Sequence, residues 1–310
     1  MVYVGIDVGG TGLKAGVVDQ NGKIISKVSC PTGVERGHEA VIADMAQLAL
    51  KAIEQSGYTL DDVHSIGIGI PGVLDPRTNR VPFCTNLGWH DVPVTELMQK
   101  VIDKPVFIDN DATVAALAES VAGVSSTVKD SIFLTLGTGV GGGVVLNHKI
   151  YSGTHGVGSE LGHTIIVADG EPCTCGNRGC WERYASATAL IRMGTEAAAA
   201  HPESALNIGR TLTAKDVMDA AKAGDPVALE VFDKYTTYLA IGMVNIINFM
   251  DPEVIAIGGG VSAAGEFLIK PIREKVAKMV FYKAMPYARI ELATLGNDAG
   301  IIGAAMLGRD

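Results

Sequence analysis

A chain of 310 residues is long enough for two domains and a large buried core. Its formal net charge of −9 excludes the broad basic face of a nucleic-acid binder. No apolar run approaches the roughly 18 residues of a membrane span, so no membrane partner is expected.

Residues 2–6, Val-Tyr-Val-Gly-Ile, read as a buried strand. No basic segment or cleavage site precedes them, which makes a cytoplasmic protein the expectation. The strand runs into Asp7-Val-Gly-Gly-Thr-Gly-Leu-Lys14, and residues 15–18 resume a strand. A glycine loop between two strands is not a P-loop, which needs a helix behind it. Gly9, Gly10 and Gly12 let backbone N–H groups come close to a ligand, and Thr11 adds a hydroxyl. Asp7 brings a negative charge into the loop, which suits phosphates only with a cation such as Mg²⁺ between them. Lys14 is a candidate to neutralise phosphate. The competing reading is a tight hairpin with an Asp for turn chemistry.

A third strand is expected at 23–28 and an amphipathic helix at 37–56, from Val41, Met45, Leu48 and Ile53. Residues 66–70 form a strand. The stretch from there to Val92 reads as a long irregular loop, and such loops are often functional. It holds Asn86, a candidate for binding a hydroxyl, and Trp89, a candidate wall; an ordinary packed loop is the alternative. A helix at 94–102 and a strand at 105–108 lead to Asp109-Asn-Asp111 and a helix at 112–122. Asp111 suits a helix N-cap. It also stands at the carboxyl end of a strand, where ligands sit in α/β sheets. With Asn110 it offers the acceptors and amide donor that sugar hydroxyls need.

The first pattern then recurs. Strand 132–136 enters Gly137-Thr-Gly-Val-Gly-Gly-Gly143, and residues 144–146 resume a strand. Gly137, Thr138 and Gly139 are the counterpart phosphate-binding residues. Two related half-folds, each offering a phosphate loop to one cleft, are implied. Of five cysteines, Cys30 and Cys84 stand alone, while Cys173, Cys175 and Cys180 cluster and read as metal ligands before disulfides. Three thiolates and an imidazole match a closed structural zinc site, with His155 and His163 competing to be the fourth ligand. Helices follow at 185–200, 213–222 and 226–250, the last apolar enough for a core or an interface. Strand 253–257 ends in Gly258, Gly259 and Gly260, where a flat ligand such as adenine can lie on backbone. A strand at 289–295 and a helix at 298–307 close the chain.

In order and spacing, these stretches resemble the ROK branch (repressor, open reading frame, kinase) of the sugar kinase, heat-shock ATPase and actin superfamily. The resemblance rests on Asp7-Val-Gly-Gly-Thr11, Asn110-Asp111, loop 137–143, Glu160-Leu-Gly-His163, the cysteine run with Glu182, and Gly258-Gly-Gly260. It implies an α/β protein with a duplicated actin-like, ribonuclease H-like ATPase fold of two domains around a cleft. Residues 1–118 with 296–310 would form the smaller domain, and 119–295 the larger domain with the zinc motif. The implied activity is transfer of the ATP γ-phosphoryl to a hexose, glucose above mannose, fructose, N-acetylglucosamine or N-acetylmannosamine. Asn86-Leu-Gly-Trp89 is similar to glucokinases in particular. Asp111 would be the catalytic base. Asn110, Asp111, Glu160, His163 and Glu182 would hold the sugar, and His163, Cys173, Cys175 and Cys180 the zinc, which favours His163 over His155. A homodimer or homotetramer is implied. Ser186-Ala187 departs from the Ser-Gly of many members and bears on sugar fit. The rival readings are a sugar-sensing regulator and an actin-like filament or chaperone ATPase. Family repressors carry a helix-turn-helix ahead of the Asp-Gly-Gly loop, and none is expected here.

Overall fold

The computed structural model describes residues 1–75 and 77–309, so Asp310, the last residue of the expected smaller domain, lies outside the described residues. The chain divides into two compact units. Met1–Phe133, Gly143–Ser159 and the chain from Ala293 onward make the first; Leu134–Gly142 and Glu160–Leu292 make the second.

In the first unit, the apolar runs at residues 2–6 and 15–18 build the buried strands β1 (Val2–Val8) and β2 (Gly12–Asp19), which with β3 (Ile24–Pro31) form an antiparallel meander. Helix α1 (His38–Ser56) buries Val41, Met45, Leu48 and Ile53 as their spacing requires, and Gly57 ends it in the left-handed conformation. Strand β4 (Val63–Ile70) then joins β1 in parallel. The stretch read as an irregular loop instead folds into a small antiparallel sheet of β5 (Val73–Asp75), β6 (Arg80–Cys84) and β7 (Trp89–Val92). Strands of three to five residues are too short for an alternation to show. Helix α2 (Val94–Gln99) stops short of the expected residue 102, and β8 (Val106–Asn110) and α3 (Asp111–Ala122) follow.

Beyond these come β9 (Ser131–Leu136), β10 (Val140–Leu146) and β11 (Lys149–Ile150). The helix expected at 185–200 is α5 (Ala187–Ala200), preceded by the short α4 (Glu182–Ala185); it starts after Ser186, whose hydroxyl caps it by accepting from the Ala189 N–H at 3.1 Å. Helices α6 (Ala214–Lys222) and α7 (Pro226–Met250), strand β12 (Val254–Gly258), helix α8 (Glu266–Met279), strand β13 (Arg289–Leu292) and helix α9 (Ala299–Met306) complete the chain. The sheet orders are β3-β2-β1-β4-β8 and β11-β10-β9-β12-β13. Each has a hairpin strand, its predecessor, then later strands outward, so the duplication seen in the two glycine loops extends to whole sheets. Among the described residues no helix is long and apolar enough to cross a membrane.

Two packing features position the functional side chains. Gly5 and Gly67 are paired in register on β1 and β4, and α9 lies directly on them. A Cβ would fall 1.9 Å from the Ile301 carbonyl oxygen at Gly5 and 1.7 Å from that of Ala304 at Gly67. Such backbone-to-backbone approach tolerates no side chain and locks α9 to the sheet. In the second unit, Trp181 is fully buried, sits over Gly242 of α7, and donates its indole N–H to the Tyr238 carbonyl at 2.8 Å. This anchors the chain directly after Cys180.

Candidate active site and metal centre

Strand β1 delivers Asp7 to the mouth of the first glycine turn. The turn is closed by Gly9 N–H donating to the Gly12 carbonyl at 2.9 Å. Thr32, fully buried, straps it from outside: its hydroxyl donates to the Gly9 carbonyl at 2.6 Å and its N–H to the Thr11 carbonyl at 3.3 Å. Sequence reasoning missed Thr32, which lies 23 residues away with no local signal. Asp7 and Lys14 face each other across the hairpin, and Lys14 Nζ donates to Asp7 Oδ2 at 2.9 Å. The lysine is thus turned toward the acid of its own loop. On its far side the Asp7 carboxylate rests on Gly300 at the start of α9, where a Cβ would come within 2.5 Å of Cγ.

At the β8–α3 junction the N-cap is Asn110, not Asp111. Asn110 Oδ1 accepts the Ala112 N–H at 2.9 Å, while Asn110 Nδ2 donates to the Gly72 carbonyl at 3.1 Å. Asp111 is the first helical residue, exposed, with Oδ1 also accepting from Ala112 N–H at 2.8 Å. The capping role at the start of α3 thus falls to Asn110. Asn86 follows β6 and lies against the first loop, where a Cβ on Gly10 would be 3.7 Å from its Cβ. Trp89 is not a wall: it is 2% exposed within the core of the first unit, because its ring is the largest apolar group available to close that core.

Asp109 is a further carboxyl group at this junction, and burial pushes its pKa from 3.8 up to about 6. The folded state therefore holds a proton that the unfolded chain releases near pH 4. The contribution of Asp109 to stability is full below about pH 4, is lost as pH rises toward about 6, and stays lost above that. Asp109→Asn should raise the thermal midpoint at pH 7 and flatten its decline between pH 4 and 6. A decline of unaltered slope in the variant would assign it to other groups.

In the second unit, the turn at Gly137, Thr138 and Gly139 is closed by Gly137 N–H donating to the Gly139 carbonyl at 3.0 Å. The first residues of α5 hold it: Ala187 N–H donates to the Gly137 carbonyl at 2.8 Å, and the Thr188 hydroxyl to the Thr138 carbonyl at 2.8 Å. The departure at Ala187 is accommodated, since the contact uses its backbone. Glu182 reaches the same turn, with Oε2 2.6 Å from where a Gly139 Cβ would stand. Of the three glycines at 258–260, Gly258 is the buried last residue of β12. Gly259 has φ 83° and leaves no room for a Cβ beside Leu136, whereas Gly260 faces open space and is the one free to back a flat ring.

Glu160, exposed, precedes the tight 3₁₀ turn Leu161–His163, and His163 N–H donates to the Glu160 carbonyl at 3.1 Å. The ligand atoms of His163, Cys173, Cys175 and Cys180 lie within 4.8 Å of one another. His155 is not in this group. Cys175 and Cys180 sulfurs are 3.6 Å apart, and Cys173 sulfur is 3.7 Å from His163 Nδ1. A tetrahedral ion with bonds of about 2.3 Å needs donors about 3.7 Å apart, so the donor set fits zinc. Backbone shapes the knuckle through Cys173 N–H donating to the Asn177 carbonyl at 2.8 Å. Burial pushes the Cys180 thiol up to about 12, while the Asn177 N–H draws Cys175 down to about 7. Glu182 Oε1 lies 3.2 Å from Cys173 sulfur and 3.9 Å from His163 Nδ1. The structure thus gathers Asp7, the first turn, Asn86, Asn110 and Asp111 within one unit. It gathers the second turn, Glu182, His163 and the cysteines within the other.

The ROK family model matches residues 3–310. This chain belongs to the ROK family. A ROK relative, the glucokinase of Halalkalibacterium halodurans, is 40% identical over 98% of this chain and 94% of its own. A ROK family glucokinase from Streptomyces griseus, solved in complex with glucose and AMPPNP, is similar with a TM-score of 0.83 at 36% identity, covering 100% of this chain and 99% of that one. The ROK hexokinase of Thermus thermophilus is similar with a TM-score of 0.87 at 34% identity over 99% and 97%. The fold is accordingly the actin-like, two-domain ATPase fold of ROK sugar kinases.

Proposed function

We propose that this ROK protein is an ATP-dependent glucokinase, moving the γ-phosphoryl of ATP to the 6-hydroxyl of glucose. The full-length likeness to glucokinases carries this reading, and the site residues supply a part for each step. Phosphoryl transfer is mostly positioning and charge neutralisation. Amides of the turns at Gly10, Thr11 and Gly12 and at Thr138 and Gly139 donate to phosphate oxygens, while those of Gly9 and Gly137 hold the turns closed, and Gly260 leaves room for the adenine. Asp7 is the residue to hold Mg²⁺, which when bound offsets phosphate charge; Lys14 stands ready to turn from Asp7 to phosphate. Asn86, Asn110, Glu160, His163 and Glu182 orient the sugar hydroxyls. Asp111 takes the 6-hydroxyl proton, late in a loose transition state that has already acidified it. His163, Cys173, Cys175 and Cys180 hold zinc, which supplies structure alone because four protein ligands leave no open position. The lobes 1–118 with 296–310 and 119–295, a cytoplasmic place and a homodimer or homotetramer belong to the same proposal.

A coupled ADP-release assay over a hexose panel tests it, with glucose giving the highest kcat/KM. A higher value for mannose, fructose or an N-acetylated hexosamine would reassign the substrate. ADP release unresponsive to every hexose would remove the kinase.

His163 should do two jobs. Its Nδ1 faces the thiols, so metal on that nitrogen leaves Nε2–H as a fixed donor for a sugar hydroxyl. His163→Cys keeps four zinc ligands and removes that donor. Zinc content should be retained, while glucose KM rises about tenfold, the scale of one hydrogen bond, and ATP KM moves much less. An unchanged glucose KM in the zinc-loaded variant would make His163 a metal ligand alone.

A further inference from the structure

Glu119 lies on α3, about two helical turns beyond Asp111, and is 1% exposed. A carboxylate so deeply buried is tolerable only when donors surround it. Four do. Oε1 accepts the N–H groups of Thr294 and Leu295, each at 2.9 Å. Oε2 accepts the Val124 N–H at 2.8 Å and the Thr294 hydroxyl at 3.2 Å. The end of α3 is shaped around this group, since a Cβ on Gly123 would stand 1.9 Å from Oε2.

The captured segment leads to the other half of the chemistry. Leu295 opens the turn Gly296–Asp298, its carbonyl accepting the Asp298 N–H at 3.1 Å, and α9 follows. Gly300 on that helix is the surface on which the Asp7 carboxylate rests, and Gly303 lets α9 meet α3 backbone to backbone, where a Cβ would be 1.6 Å from the Val114 carbonyl oxygen. Apolar side chains of similar volume would join two helices at least as well as a buried acid. What a four-donor carboxylate adds is a fixed register between α3 and the start of α9.

We infer that Glu119 is a positioning residue for the transfer step: it sets α3, which carries Asp111, against the α9 start that supports Asp7, and so fixes the base relative to the phosphate loop. This rests on the kinase reading above. Glu119→Gln keeps the size but replaces an acceptor with an N–H₂ that faces N–H donors.

The test is steady-state kinetics on the full chain, at a temperature well below each variant's melting midpoint. Glu119→Gln should lower kcat by about tenfold or more, as small misplacements of reacting groups do, with glucose and ATP KM within about twofold of wild type. If Glu119 acts through Asp111, adding Glu119→Gln to Asp111→Asn should cost no more than about a further twofold. Thr294→Val removes a single donor and should lower kcat in the same direction with KM unchanged, which keeps the idea exposed even if Glu119→Gln does not fold. Unchanged kcat in both variants, in Thr294→Val where Glu119→Gln fails to fold, or fully additive losses in the double variant, overturns the inference while the kinase reading stands. A wild-type chain without hexose-dependent ADP release overturns both.

Discussion

Asp111→Asn should lower kcat by about 10² or more, the usual scale of losing a general base, with the fold intact. The fold should survive because Asp111 is exposed and Asn110, not Asp111, caps α3. The asparagine also keeps an oxygen to accept the Ala112 N–H, now bonded at 2.8 Å. What it loses is the capacity to take a proton from the sugar hydroxyl. ATP KM should change little, and glucose KM less than kcat, since the asparagine can still bond a sugar hydroxyl while the proton transfer is made only in the transition state. Steady-state kinetics with a thermal melt of the same preparation decide it. A near-normal kcat would leave Asp111 as a helpful negative charge in the first turn of a helix and nothing more.

On the proposed reading of one zinc ion per chain, Cys175→Ser should abolish metal binding and lower the thermal midpoint by roughly 10 °C, because structural metal binding is folding free energy. The effect should reach the sugar. Cys180 is followed directly by Trp181, clamped on α7, and by Glu182, whose carboxylate lies 3.2 Å from Cys173 sulfur. Freeing the knuckle releases the restraint on Glu182, so glucose KM should rise more than ATP KM. Elemental analysis, melts and kinetics on one sample check all three. Wild-type protein purified without chelators that carries no zinc would remove the metal from the account.

The sequence by itself determined what is written in short-range patterns. Apolar runs broken by Gly and Thr marked both hairpin turns, and their repetition announced the duplicated sheets. The 3.6-residue spacing marked α1, and a nearly continuous apolar run marked α7. Cysteine spacing marked the thiol cluster that His163 joins, because a knuckle is local. Tertiary structure alone decided the rest, since it depends on partners remote in sequence. Whether Asn110 or Asp111 caps α3 is a one-residue choice made by backbone torsions, as both side chains can accept. Trp89 became core because the first unit closes over it. The strands at 73–92 form through pairing with one another, not through periodicity of their own. Gly5 and Gly67 acquire meaning only when register places them side by side beneath α9. Glu119 reads as an ordinary helix acid until residues 294 and 295, far along the chain, arrive with the donors that let a carboxylate stay buried.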